Sequence, residues 1–332
     1  MIRLINIVIV LGLVWSAYWY GAGYLLRQGV QAWFTTQQAR GWQADYGDMQ
    51  TSGYPLRHIT TLNGPALADP ATGTAWQADW LNLDSPAIWP GRQDLHFANT
   101  PQRLSYFDQT AVVTAQGMVA RLHLHPGLAL ALERMELTVG PWSIATEGGG
   151  MNAGSLAMAM VQTDQRETYQ FDIDATGFTP SEGLMRRLNY NRGPAASFET
   201  LTLDMAVRFD HVWDRQALDQ RRPQPVQIDL RLAEARWGAL RLMAAGKVDV
   251  DASGIPTGDV SIKAENWREM LDIAVAAGAI PAQAINSVEK LLGMLAGLTG
   301  NPKALDVNLT LRGGQVSFGL IPLGPAPRLI LR

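Results

Sequence analysis

Hydrophobic and polar residues follow two different periods along this chain. The stretch LINIVIVLGLVWSAYWYGAGYLL, Leu4 to Leu26, holds no charge. As a helix it is about 34 Å long, enough to cross a hydrocarbon core with slight tilt. Residues 27–42 (RQGVQAWFTTQQARGW) keep the helical period, with Val30, Trp33 and Phe34 on one face, and predict a stalk that continues the helix outward. From residue 43 the period drops to two. RLHLH at 121–125, Met135–Leu137–Val139, SLAMAMVQ at 155–162, YQFDIDA at 169–175, TLTLDMAVRF at 200–209, VQIDLRL at 226–232 and LDVNLTL at 305–311 all alternate. Such alternation turns one set of side chains inward and leaves the other facing water or a neighbour.

Clusters of Gly, Pro, Asn and Asp punctuate these runs: NGPALADPATG at 63–73, GPW at 140–142 and ASGIPTG at 252–258. Many strands joined by short turns predict antiparallel sheet. The helical period returns at 265–280 and 281–300, broken at Pro281 and ended by Gly300 and Pro302, and more briefly at 179–189 behind Ser181. The expected class is α+β, mainly β: an elongated, curved antiparallel sheet with a C-terminal helical pair and an N-terminal transmembrane helix. No fixed-period repeat or linker divides residues 43–332, which are read as one domain behind an anchor at 4–26 and a stalk at 27–42.

Aromatic residues sharpen the reading of the first segment. Trp15, Tyr18, Trp19, Tyr20 and Tyr24 crowd its C-terminal half as a membrane-interface belt would. A cleaved signal peptide is the competing reading, but its small-residue site would be Gly21 and Gly23, inside that belt and with no polar region before it. An uncleaved anchor is expected. Charges flanking the span tie, with the N-terminal amine and Arg3 on one side, Arg27 and Arg40 on the other. The short N-terminal tail and the large body beyond the span favour the N-terminus inside.

Composition removes several kinds of chemistry. With no cysteine, disulfides, thiolate catalysis and Cys-based metal sites are absent. A net charge of −3 gives no global field toward nucleic acid. A nucleophile elbow, a Walker A loop and H-E-x-x-H do not occur. Gly148, Gly150 and Ala153 have dinucleotide-loop spacing, yet the alternating SLAMAMVQ follows where a helix is needed, so a glycine-rich β-turn is expected. His123 and His125 share a strand face with Arg121, whose charge opposes a cation. Asp249, Asp251 and Ser253 open VDVDASG as a calcium loop would, but the twelfth position is Val260 and the flanks alternate as strands, so a turn is expected. No motif asks for a cofactor or metal. One feature points toward binding: Leu156, Met158 and Met160 share a strand face and would line an adaptable apolar groove, against the plainer alternative of core packing.

The run ARWGALRLMAAGKVDVDASGIPTGDVSIKAENWREML (235–271) carries Trp237, Gly238, Leu240, Leu242, Gly246, Val248, Val250, Asp251, Gly254, Pro256, Gly258, Val260 and Ile262 in a pattern of W-G-x-L-x-L, G-x-V-x-V-D and G-x-P-x-G-x-V-x-I. With SGYPLRH (52–58), the ending GGQVSFGLIPLGPAPRL (313–329) and the anchor, this resembles the domain-of-unknown-function family 2125 of alphaproteobacteria. The resemblance implies no catalytic residue. It implies a single-pass protein of the inner membrane, N-terminus in and body in the periplasm, with a distant look of AsmA-like envelope proteins. The leading expectation is a non-enzymatic envelope protein that binds or shields lipid in an apolar groove. The alternative is a scaffold for envelope proteins, and a hydrolase without a recognisable motif comes third.

Overall fold

The structure, a computed structural model, describes residues 1–89, 91–127, 129–187, 197–219, 221–276, 285–298, 303–319 and 321–331. It is an α+β protein built mostly of antiparallel sheet, with one long apolar helix at its N-terminus and small helices near its C-terminus.

Helix α1 (Ile2–Ala39) runs unbroken through both predicted N-terminal segments. It stops where the sequence supplies Gly41 at φ +90°. There the Trp42 amide donates to the Gln37 carbonyl at 3.1 Å and the Gly41 amide to Gln38 at 3.0 Å. This is the paired closure that a left-handed glycine makes possible at a helix end.

The chain then forms two compact units, the first made of Met1–Leu124 with Ile144–Glu147, the second of His125–Ser143 with Gly148–Arg332. The first unit begins with β1 (Gln43–Asp45), β2 (Asp48–Ser52), β3 (Arg57–Asn63), β4 (Ala66–Asp69) and β5 (Thr74–Gln77). It continues with β6 (Trp80–Pro86), β7 (Arg92–Phe97), β8 (Gln102–Tyr106), β9 (Gln109–Ala115) and β10 (Val119–Leu124). Pairs of strands alternate between two antiparallel layers, β2-β3-β6-β7-β10 and β1-β4-β5-β8-β9. Alanines 78, 98 and 115, all buried, mark the places where the chain leaves one layer for the other. The α1 segment expected as a stalk lies on this unit: Phe34 is buried with Ala44 and Leu62, and Val30, Trp42, Leu67 and Leu83 pack around them. Trp33, on the same predicted face, stays 41 % exposed.

The second unit starts with β11 (Leu132–Val139); in the chain a hairpin of β12 (Trp142–Thr146) and β13 (Gly149–Ala153) follows, residues Ile144–Thr146 of β12 counting with the first unit and β13 with the second. Next come β14 (Ser155–Gln162), β15 (Thr168–Phe178), β16 (Phe198–Phe209), β17 (Pro225–Trp237) and β18 (Leu240–Val250). The sheet ends with β19 (Pro256–Glu265), β20 (Ala304–Arg312), β21 (Gln315–Phe318) and β22 (Ile321–Pro325). From β14 onward each strand pairs with the next, and β11 borders β14, giving one long antiparallel meander. Consecutive pairing is what short turns and alternating runs favour. Helices α2 (Glu182–Arg187), α3 (Arg215–Asp219), α4 (Trp267–Ala276) and α5 (Ile285–Leu298) fill its connections. The helical segments predicted at 179–189, 265–280 and 281–300 correspond to α2, α4 and α5; residues 188–189, 277–284, 299 and 300 lie outside the described residues.

Candidate functional site

Register decides what the sheet of the second unit presents. Directly paired residues share a face, so alternation within each strand is compounded across the sheet. Met158 lies opposite Leu137 and Ile173; Ile173 lies opposite Leu203, and Leu203 opposite Ala233. The row goes on through Ala244, Ile262 and Val307. A parallel row runs from Met135 through Met160, Phe171, Met205 and Leu230. Every residue named in the two rows is apolar. A β-bulge around Arg231 in β17 preserves them: Leu230 pairs with Met205 and Ala233 with Leu203, the extra residue being absorbed between them.

The opposite face is charged and internally paired. Asp204 accepts from Arg231 Nε at 2.8 Å and from Gln170. Glu234 accepts from Arg241 Nε at 2.7 Å and from Arg236, and Arg241 also faces Glu265 at 3.7 Å. These two guanidinium groups hold the Glu234 carboxyl down, from its ordinary 4.5 to about 2. Thr202 donates to Asp174 at 2.9 Å, and Thr310 to Asp259 at 2.8 Å. These four carboxylates, Asp174, Asp204, Glu234 and Asp259, thus serve cross-strand pairing.

Both ends of the apolar face are closed. At one end Trp267 and Leu271 of α4 and Ala296 of α5 pack on Ala264 and Leu305. Nearby Met185 of α2 joins Trp237 and Leu240, and Phe198 stacks on Trp237 with centroids 4.8 Å apart. At the other end Tyr169 is fully buried against Phe209, and its hydroxyl donates to the Leu132 carbonyl at 3.2 Å. Burial pushes that hydroxyl's pKa up. Trp213 meets Phe209 edge-on at 5.5 Å and completes the closure.

Between these ends the face is only half-buried. Leu137, Leu156, Met158, Phe171, Ile173, Leu203, Met205, Leu230 and Ile262 all keep partial exposure. Of the three predicted groove residues, Met160 is buried at 3 % exposure, whereas Leu156 and Met158 sit at the half-open centre. The rest of the surface leaves no mark in any single strand, each of which is compatible with ordinary core; the cross-strand rows depend on register.

The other motifs resolve into architecture. Asp251 Oδ1 accepts the amides of Ser253 at 2.8 Å and Ile255 at 2.9 Å, closing the turn between β18 and β19, and Asp249 accepts from Gln227 at 2.6 Å. Gly254, at φ +77°, has no room for a Cβ, which would lie 2.4 Å from the Ile330 side chain. Gly148 lies in the turn between β12 and β13, and the sheet continues with strand β14. His125 Nε2 is 2.7 Å from Gln162 Oε1, and His123 lies opposite Arg92. No group of three His, Asp or Glu close enough for a metal occurs among the described residues.

The aromatic belt of α1 is divided by the structure. Trp19 is buried at 5 % exposure, stacked on His58 at 4.8 Å, with its Nε1 donating to the Arg57 carbonyl at 2.9 Å. His58 Nε2 donates in turn to the Trp19 carbonyl at 3.0 Å. Trp15 donates to the Pro55 carbonyl at 3.1 Å and Tyr18 to that of Ala87 at 2.7 Å. Tyr20 and Tyr24 remain exposed. Among the described residues α1 is the one helix long and apolar enough to cross a membrane, and Ile2–Val14 touches no other part of the chain through a hydrogen bond outside the helix.

These features define a class: an antiparallel β-protein behind one membrane-length N-terminal helix, with an apolar sheet face closed at its ends and half-open between them. Residues 19–327 match an uncharacterized protein family conserved in bacteria, the domain-of-unknown-function family 2125, and the chain belongs to that family. No curated protein matches it.

Proposed function

We propose that this is a non-enzymatic, single-pass protein of the inner membrane, N-terminus in and body in the periplasm, whose second unit holds lipid acyl chains against its apolar sheet face. The half-buried rows through Met158–Ile173–Leu203 and Met205–Leu230 carry the reading. Burying such a surface is worth roughly 25 cal/mol per Å², so it favours an apolar occupant. Methionines on β11, β14 and β16 give a wall that can re-pack around chains of different shape. On the opposite face the Asp204 and Glu234 carboxylates are engaged by Arg231 and Arg241, a cohesive use that supports binding over catalysis.

The test is lipid co-purification. The full chain, extracted in a synthetic detergent and washed extensively, is expected to retain phospholipid by mass spectrometry of an organic extract. Met158→Gln combined with Ile173→Thr should retain several-fold less while keeping the β-sheet circular dichroism. Equal retention by both proteins would place the bound lipid elsewhere and count against the face. A stoichiometric protein partner in place of lipid would favour the scaffold.

A further inference from the structure

We infer that two loops of the first unit, 53–57 and 86–89, form a collar around α1 that sinks into the membrane surface. The inference rests on the reading of α1 as a membrane span and adds a second, body-borne contact with the same bilayer.

Length is the first argument. The helix makes its first hydrogen bond to the body at Trp15, so only Ile2–Val14 lies clear of it. That segment is about 20 Å long, whereas a hydrocarbon core is about 30 Å thick. The missing ~10 Å corresponds to about seven further residues, which carries the bilayer boundary up to Tyr20 or Gly21. The body, however, already grips the helix at Trp15, Ser16, Tyr18 and Trp19 through Tyr54, Pro55, Ala87 and Arg57. Those gripping loops therefore lie below the boundary.

The loops are made for that position. The stretches MQTSGYPL at 49–56 and SPAIWPG at 85–91 carry no charge. Leu56 is 73 % exposed and Ile88 67 %, and Tyr54 and Trp89 are about half exposed beside them. Large exposed apolar side chains grouped on loop tips mark a binding surface, and the Tyr and Trp among them suit a headgroup layer. Tyr20 of α1 stacks on Tyr54 with centroids 6.2 Å apart, so the exposed aromatics of helix and loop form one continuous band.

Hydrogen bonding completes the case. Backbone carbonyls entering a bilayer must find partners in the protein. Here the side chains of Trp15, Tyr18 and Trp19 satisfy Pro55, Ala87 and Arg57, the Ala87 amide satisfies Leu56 at 2.9 Å, and the Arg57 amide satisfies Gly53 at 3.0 Å. A water-facing loop has no need of this closure. The first charge beyond the 53–56 tip, Arg57, is paired with Asp84 at 2.6 Å.

The absence of cysteine makes the test direct, because any introduced cysteine is unique. Full-length Leu56→Cys and Ile88→Cys, spin-labelled and reconstituted in phosphatidylcholine–phosphatidylglycerol vesicles, are expected to collide more with oxygen than with a water-soluble nickel chelate. Val8→Cys, within the span, should read as lipid, and Ala71→Cys, on an exposed turn of the same unit, as water. Labels at 56 and 88 that read as water while Val8 reads as lipid would overturn the collar and leave the anchor standing. Labels shielded from both reagents would mean that protein covers the loops, which also overturns the collar. Val8 reading as water would remove the anchor and the collar together.

Discussion

Glu234 illustrates how the charged face of the second unit contributes stability. Arg241 and Arg236 bond its carboxylate, so the folded protein holds this group at about 2 instead of 4.5. A carboxyl with a lowered folded value binds fewer protons folded than unfolded. Its stabilisation is therefore complete above about pH 4.5 and fades as pH falls toward 2. The two arginines are 35 % and 50 % exposed, and water screens them. Glu234→Gln should therefore cost about 1 kcal/mol at neutral pH, and the difference from wild type in urea melts should shrink between pH 4.5 and 2. Asp251 makes a different use of a carboxylate. Because its oxygen caps two turn amides, Asp251→Ala should destabilise by about 1 kcal/mol, equally with calcium or with chelator. A melting temperature that rises with calcium only in wild type would restore an ion site. On α1, a Cβ at Gly23 would stand 3.3 Å from the His58 ring. Gly23→Leu is thus expected to lift the helix from the body and to speed amide hydrogen exchange across 53–58.

At the scale of elements, the N-terminal helix does two jobs that its sequence presents as one. Its apolar run predicts a span and its helical period a stalk, yet Trp19 and Phe34 are core residues of the first unit. Phe34→Ala should cost about 3 kcal/mol, in the range for emptying a buried aromatic site. A chain beginning at residue 43 should melt well below one beginning at residue 15, because only the shorter chain loses both docking side chains; scanning calorimetry of the two truncations decides this. The strands were largely legible, since an alternating run such as YQFDIDA states its own period. The groove was legible only in part. Leu156, Met158 and Met160 announce a shared face, but the neighbours of that face, Leu137, Ile173 and Leu203, come from strands whose register depends on turns and on the bulge at Arg231. The collar was not legible, because Leu56 and Ile88 stand singly in loops where periodicity carries no information. SGYPLRH, quoted above only as a family mark, supplies Tyr54, Pro55, Arg57 and His58 to the docking of α1.

At the scale of the whole molecule, the two units divide the work. The first fastens a membrane-length helix through ring nitrogens and hydroxyls bonded to loop carbonyls. The second spends its charges on one face and leaves the other apolar, closed at both ends and half-open between. Even the family-like segments at 252–258 and 313–329 meet in this second unit, where the Leu329 amide donates to the Gly254 carbonyl at 2.8 Å. The most direct test of the apolar face as a lipid site is photo-crosslinking from Met158 in living cells, using a benzophenone amino acid in the full chain. Adducts with phospholipid are expected at position 158 and none at position 174, on the opposite face. Adducts at 158 with protein alone, or equal lipid labelling at both positions, would contradict a lipid site on the apolar face.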